Sequence, residues 1–337
     1  MSRPRTARSL LALGLAALML GGAVACNGGD EEDAPGVDKV TFVTTFGTFG
    51  REAAAYVAGA KGFFAEAGIE VEIQPGRAGD YNMQLIRSQS AEFASVDYAG
   101  AVMRAANGEA DDAVMVAALN HKALLAMMAR PDGPIKTARD LEGKTLGVPT
   151  GGVAGSLFPG YAELAGIDIS KVTVKEMGPE LLIPTLEAGR VDVIGQFVVG
   201  APAVAAAIGA QPVILPYSEY VTDLYGNALI TRRDLLEADP DLVRRFTEAL
   251  LKGLRYAVDH PEESAEILRA KVDTTVPAVA AAELRLLGPY VDPSGDLGRF
   301  NASLVARGVA TLRALGLLGE SVLPETFIDF SVMGEVR

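Results

Sequence analysis

The chain has 337 residues, 43 acidic against 30 basic, for a formal net charge of −13, with one cysteine, two histidines and no tryptophan. At 49% apolar it has material for a large core and is too hydrophobic for a disordered chain. Its acidity argues against a nucleic-acid binder, and a lone cysteine excludes an internal disulfide, a multi-thiolate metal site or an iron–sulfur centre.

The N-terminus reads as an export signal. Arg3, Arg5 and Arg8 precede an unbroken apolar run at residues 10–25, shorter than the ~20 residues that span a bilayer. The run ends in Ala23, Val24, Ala25 and Cys26, followed by an acidic, glycine-rich stretch. This resembles a bacterial lipoprotein signal, although Ala23 stands where Leu is more usual; the alternative is a plain secretory peptide with a stray cysteine. The expectation is a signal over residues 1–25, a flexible tether over 26–37, and a lipid on Cys26 as the membrane anchor on the extracytoplasmic face of the cell membrane.

From residue 39 onward strand-like and helix-like stretches alternate, which predicts an α/β fold. Residues 39–45 form a β-rich run, Gly47 and Gly50 punctuate a loop, and 51–67 read as one helix closed by Gly68. Residues 69–73 alternate like a strand; Pro75 and Gly76 break it, and Asp80 can cap a helix to about Ser88. A short strand at 92–96, a helix to Gly108, and apolar strands at 113–119 and 123–129 follow, with Asn120, His121 and Lys122 between the last two. Pro131 and Pro134 mark a boundary. Beyond it come strands at 145–148, 172–176, 191–194 and 212–215, with helices after Gly152, Pro179 and Pro202. Residues 227–231 form one more strand. The chain is then mainly helical from Asp239 to Leu318, interrupted at 289–298, and the Leu and Val stripes of 241–258 are core.

Residues 85–97 and 186–196 share a layout: a helix end, an acid, a short strand, and a polar residue at the strand's carboxyl edge. Each of two α/β lobes would carry one copy. Glu92 and Asp192, before these strands, read as structural.

The order of elements resembles the SsuA/THI5-like (NMT1/THI5) solute-binding proteins of ABC transporters. The likeness rests on YVAGAKGFF (56–64) with Ala67, Gly68 and Ile69, DLEGKTLG (140–147), LEAGRVD (186–192), YGNALIT (225–231), PDLVRRF (240–246) and PEESA (261–265). It implies a two-lobed periplasmic-binding-protein-like fold (type II), with the ligand in a cleft between lobes and crossings near 120–130 and 218–228. The expected lobes are 38–125 plus 222–337, and 126–221. It also implies a small-molecule solute, permease and ATPase partners, a monomer, no cofactor, no metal and no catalytic residues.

Ligands of open α/β sheets bind beyond the carboxyl ends of the strands. That rule selects Thr45, Phe46 and Phe49 after the first strand, Tyr81 after the second, Asp97 and Tyr98 after the third, and Asn120 and His121 after the fourth. In the other lobe it selects Thr150, Gly151 and Gly152, then Gln196 and Phe197; Tyr225 and Asn227 lie near the returning crossing. Asp97 can equally cap the next helix, His121 can be a satisfied buried histidine, Phe46 and Phe49 can be packing, and Gly151-Gly152 can be only a tight turn. Arg51 and Arg77 read as solvent-facing, or as holders of an anion. The loop aromatics with Asp97, Asn120, Gln196 and Asn227 suit a flat polar heterocycle such as a thiamine-precursor pyrimidine. A sulfonate or nitrate held by helix N-termini and arginines is the competing ligand. The resemblance also covers THI5 pyrimidine synthases, which use a Cys-rich motif, an active-site His, iron and pyridoxal phosphate; here no Cys follows Cys26, and an export signal would part the protein from that substrate. A two-lobed sensor or adhesin is a third possibility.

Overall fold

The computed structural model describes residues 36–77, 79–108, 112–292, 295–319 and 322–334. The expected signal, Cys26 and most of the tether lie outside them. Among the described residues the strands are β1 (Asp38–Val43), β2 (Ile69–Gln74), β3 (Phe93–Asp97), β4 (Ala113–Ala118), β5 (Leu125–Ala129), β6 (Thr145–Pro149), β7 (Thr173–Met177), β8 (Val193–Phe197), β9 (Val213–Pro216) and β10 (Asn227–Arg232).

They form two five-stranded sheets, ordered β2-β1-β3-β10-β4 and β7-β6-β8-β5-β9. In the first, β1 runs parallel to β2 and β3, and β10 is antiparallel to β3 and β4. The second repeats this: β6 is parallel to β7 and β8, and β5 is antiparallel to β8 and β9. The reversed strand of each sheet is the one the chain enters after crossing from the other. The first crossing, between β4 and β5, comes at residues 119–124, so Pro131 and Pro134 fall after the change of sheet rather than at it. The second joins β9 to β10.

Helices cover the sheets. Pro240–Asp259 begins where the Asp239 carboxylate accepts the Leu242 N–H at 2.9 Å, a cap that satisfies one free donor of the first turn. Its apolar face puts Phe246 flat on Phe93 of β3, ring centres 3.9 Å apart, and against Phe64 at 5.4 Å. The free edge of β4 is closed by the C-terminal segment: Met115 N–H donates to the Phe327 carbonyl, and Asp329 N–H to that of Met115.

Two expectations are corrected. The helix expected over 51–67 is a turn at Gly50–Glu52, a helix at Ala53–Ala60 and a short one at Phe63–Glu66. Gly62 parts the last two at φ +79°, a conformation that glycine adopts without steric cost. The expected interruption at 289 comes later, because Pro277–Val291 runs helical through Pro289. None of the helices among the described residues is long and apolar enough to cross a membrane.

Candidate functional site

The carboxyl ends of the two sheets meet around a cavity of about 40 Å³. Thr45 and Phe46 after β1 and Asp97 at the end of β3 line it from the first sheet; Gly152, Gln196 and Phe197 line it from the second.

Asn82, wholly buried, fixes the first side. Its amide donates to the carbonyls of Thr44 and Ser95, both at 2.9 Å, and to that of Thr45 at 3.3 Å. It thereby ties the loop after β1 to β3, and the Thr45 and Ser95 hydroxyls meet at 2.5 Å. Asp97 does both things its position allows. It lines the cavity and also caps the helix Tyr98–Ala106, accepting the Gly100 N–H at 3.0 Å. Burial pushes its carboxyl up to about 7, against the opposing pull of the Gly100 and Ala99 N–H groups and Arg104. On the second side, Gln196 Oε1 accepts the Phe197 N–H at 2.9 Å. Phe197 stands edge-on to Phe46, centres 6.2 Å apart. The helix Val153–Ala165 starts at Gly152 without a side-chain cap, so its first N–H groups are available at the cavity wall.

The nearby cations are matched. Arg104 pairs with Asp80 and donates to the carbonyls of Gly100 at 3.0 Å and Gly151 at 2.7 Å. Gly151 sits at φ +64°, and a Cβ there would strike the Asp80 carboxylate, so only glycine allows this approach. Arg51 corrects its sequence reading: it is neither solvent-facing nor free to hold an anion, being 6% exposed between Glu52 and Glu283, themselves 8% and 1% exposed. Its guanidinium lies 3.8 and 3.5 Å from their carboxylates. It covers the Phe49 ring at 4.4 Å and the Phe197 ring at 5.3 Å, and approaches Gln196 Oε1 at 3.5 Å. Burial pushes the Glu52 carboxyl up to about 7 and raises that of Glu283, in both cases against the lowering effect of Arg51.

The remaining candidates lie elsewhere. Asn120 and Asn227 tie the two crossings together: Asn120 N–H donates to the Asn227 carbonyl at 3.1 Å, and Asn227 N–H to Asn120 Oδ1 at 3.2 Å. Both line a smaller chamber of about 30 Å³ that shares Thr45 with the cavity. His121 and Tyr225 line a separate groove of about 990 Å³. There burial lowers the His121 pKa, and Tyr225 Oη accepts the Asn301 N–H at 2.7 Å. Tyr98 is core, packed on Tyr225 and Phe300. Phe49 stacks on Phe46 behind the cavity wall. Tyr81 is half-buried beneath the Arg77 guanidinium, and Thr150 is exposed.

Sequence reasoning missed Asn82, Ser95, Arg104, Glu52 and Glu283. Glu283 carried a signal: it shares the apolar face of its helix with Ala280, Leu284 and Leu287. Among the described residues there is no group of His, Cys, Asp and Glu that could hold a metal.

The family model described as NMT1/THI5 like matches residues 51–264. The riboflavin-binding protein RibY of Chloroflexus aurantiacus is 28% identical over 69% of this chain, which spans just under two thirds, 66%, of that relative. A formylaminopyrimidine-binding protein of Halalkalibacterium halodurans is 26% identical over 80% of this chain and 83% of its own. The alkanesulfonate-binding protein SsuA from Xanthomonas axonopodis pv. citri, bound to MOPS, superposes with a TM-score of 0.72 at 16% identity, covering 88% of this chain and 99% of the other. The architecture is the two-lobed α/β fold of periplasmic binding proteins (type II).

Proposed function

The chain belongs to the NMT1/THI5-like family, and from that premise we propose that it is the solute-binding component of an ABC importer. It is a receptor rather than an enzyme, and it closes its lobes on a flat nitrogen heterocycle of the pyrimidine class. The lobes are residues 38–125 plus 222–337 and residues 126–221. A monomer, held by lipid on Cys26 to the extracytoplasmic face of the membrane through the 26–37 tether, would deliver solute to permease and ATPase subunits. The synthase alternative requires a Cys-rich motif that this sequence lacks.

One observation carries the choice of solute: Arg51 and Arg104 already face carboxylates. A sulfonate or nitrate would therefore find no unmatched guanidinium in the cavity lining, and it would sit beside Asp97. Phe46 and Phe197 instead offer ring faces and edges, with Asp97 and Gln196 as polar contacts from opposite lobes. The cavity has room for water but not for a ring, so admission requires the lobes to part. Contacts from both sides then favour reclosure.

Native mass spectrometry of protein purified without denaturation, followed by calorimetry with 4-amino-2-methylpyrimidine, an alkanesulfonate and nitrate, tests this. A retained heterocycle and binding of the pyrimidine alone are expected. Binding of an anion with no response to the pyrimidine would overturn the solute class.

A further inference from the structure

The 30 Å³ chamber beyond Thr45 is unusual in what it leaves unpaired. Thr45, Arg51, Glu52, Ser95, Asn120 and Asn227 supply its polar wall. Glu52 Oε2 accepts the Thr45 N–H at 3.0 Å, but Glu52 Oε1, 3.8 Å from Arg51 Nε, is buried without a hydrogen-bond donor, and so is Asn227 Oδ1. Both residues are 8% exposed. Behind them, Arg51 is the single cation between two buried carboxylates, and Glu283 Oε1 also lacks a hydrogen-bond donor. Arg51 Nε and Nη1 face those two carboxyl oxygens without hydrogen-bonding them, and with one guanidinium to two carboxyls the cluster is short of positive charge. Water filling the chamber would satisfy lone pairs but leave that charge uncompensated, which is costly in a buried setting.

We propose that this inner chamber is a subsite for a positively charged nitrogen of the solute, an ammonium or amidinium group that enters past Thr45 and is held by Glu52 Oε1 and Asn227 Oδ1. The inference rests on the heterocycle reading and narrows it: the ring lies in the cleft and its cationic arm points into the first lobe. The volume admits an ammonium-sized head and little more. Without solute, a proton on Glu52 takes the place of that charge. The groups facing Glu52 are Arg51 beside it, Glu283 from the helix Pro277–Val291, Tyr56 one turn on, the Thr45 N–H, and the amides of Asn120 and Asn227. The helix Pro240–Asp259 contributes only Leu250 and Leu254 to the chamber. None of these except Arg51 supplies a competing cation. Binding a charged arm therefore expels the proton.

The test uses two probes of nearly equal shape, 4-amino-5-aminomethyl-2-methylpyrimidine and its 5-hydroxymethyl counterpart, titrated calorimetrically into the full chain. The aminomethyl compound should bind at least about tenfold more tightly. Glu52→Gln should abolish that preference, the variant binding the two compounds within about threefold of one another. A second measurement needs no variant: at pH 6.5, titrations in buffers of different ionisation enthalpy should show release of more than about half a proton for the aminomethyl compound and none for the other. Equal affinities with no proton release would mean a chamber that holds only water; that overturns the subsite and leaves the heterocycle reading standing. Failure of both probes to bind wild type at about millimolar concentration would overturn the heterocycle reading and the subsite with it.

Discussion

The two lobes are built alike and furnished differently. Each sheet has the same strand order, with one reversed strand entered by a crossing. Each also carries an acid before its central strand that pins a neighbour: Glu92 Oε2 accepts the Thr41 N–H at 2.7 Å, and Asp192 Oδ2 accepts the Thr145 N–H at 2.8 Å. At the cavity the likeness stops. The first lobe brings Asp97 to the cavity wall and places Arg51, Glu52 and Glu283 close behind it; the second brings the neutral Gln196, the Phe197 ring and an uncapped helix start. The bonds that pin neighbouring strands repeat in both sheets, whereas the residues at the carboxyl ends of the central strands differ. On the function proposed above, the first lobe would hold the chemistry that selects and the second would cover it.

The largest break in the comparison should come from pH. Burial raises the carboxyls of Glu52 and Asp97 to about 7, well above the ordinary carboxylate range. A raised carboxyl favours the folded state while protonated. Its contribution is therefore complete below the unfolded pKa and is lost as pH rises through about 7. At about 1.4 kcal/mol per pKa unit, the unliganded protein should lose on the order of 2–3 kcal/mol of this contribution for each of the two carboxyls between pH 5 and pH 8. Urea unfolding across that range checks it. Glu52→Gln and Asp97→Asn should each flatten the slope, and Asp192→Asn in the other lobe should not. An unchanged slope in both first-lobe variants would remove the electrostatic distinction between the lobes.

Asn82→Ala should follow closely. It strips a donor from the carbonyls of Thr44, Thr45 and Ser95, and buried unsatisfied groups cost about 1–3 kcal/mol each before relaxation or water entry. A loss of about 3 kcal/mol in denaturant unfolding is expected, together with weakened solute binding, because Thr45 and Phe46 lose their frame.

How much of this was legible in the sequence depends on whether the signal was local. Strand and helix order and the paired positions of Asp97 and Gln196 follow from period, punctuation and the rule that sites lie past strand ends, whereas the crossings near 120–130 and 218–228 follow from the family resemblance. Asn82, Arg104 and Glu283 did not emerge, because each acts on an element far away in the chain. Asn82 reads as a helix-surface residue until β1 and β3 are laid beside it. Arg51 reads as exposed until Glu283, 232 positions on, is folded over it. Strand ends were also misjudged by a residue or more: β8 continues to Phe197, past the Ile194 expected, so Gln196 and Phe197 are held by the ladder rather than by a loop.

In solute binding, Gln196→Ala isolates the covering lobe and Asp97→Ala the selecting one. Loss of one buried hydrogen bond to solute costs about 1–3 kcal/mol, a weakening of roughly 5- to 150-fold. Both variants should fall in that range by calorimetry with the solute recovered from the protein. They should part in stability, because Asp97 also caps the helix Tyr98–Ala106 and its removal costs about 1 kcal/mol more. Wild-type affinity in both would place the solute outside this cavity.

The smallest effect is the one expected to be shared. Glu92→Ala and Asp192→Ala each remove a carboxylate that accepts a backbone N–H from the neighbouring parallel strand, far from the cavity-facing strand ends. The Thr41–Glu92 bond is partly buried and the Thr145–Asp192 bond is exposed. A charge-assisted bond shielded from water is worth more than one that water can replace. Glu92→Ala should therefore cost about 1.5 kcal/mol and Asp192→Ala about 0.5 kcal/mol in denaturant unfolding. Solute affinity should stay within about twofold of wild type for both. If Glu92→Ala instead weakened binding as much as Asp97→Ala while leaving stability intact, the acid before β3 would belong to the site, and the division between shared scaffold and divergent strand ends would fail at its simplest point.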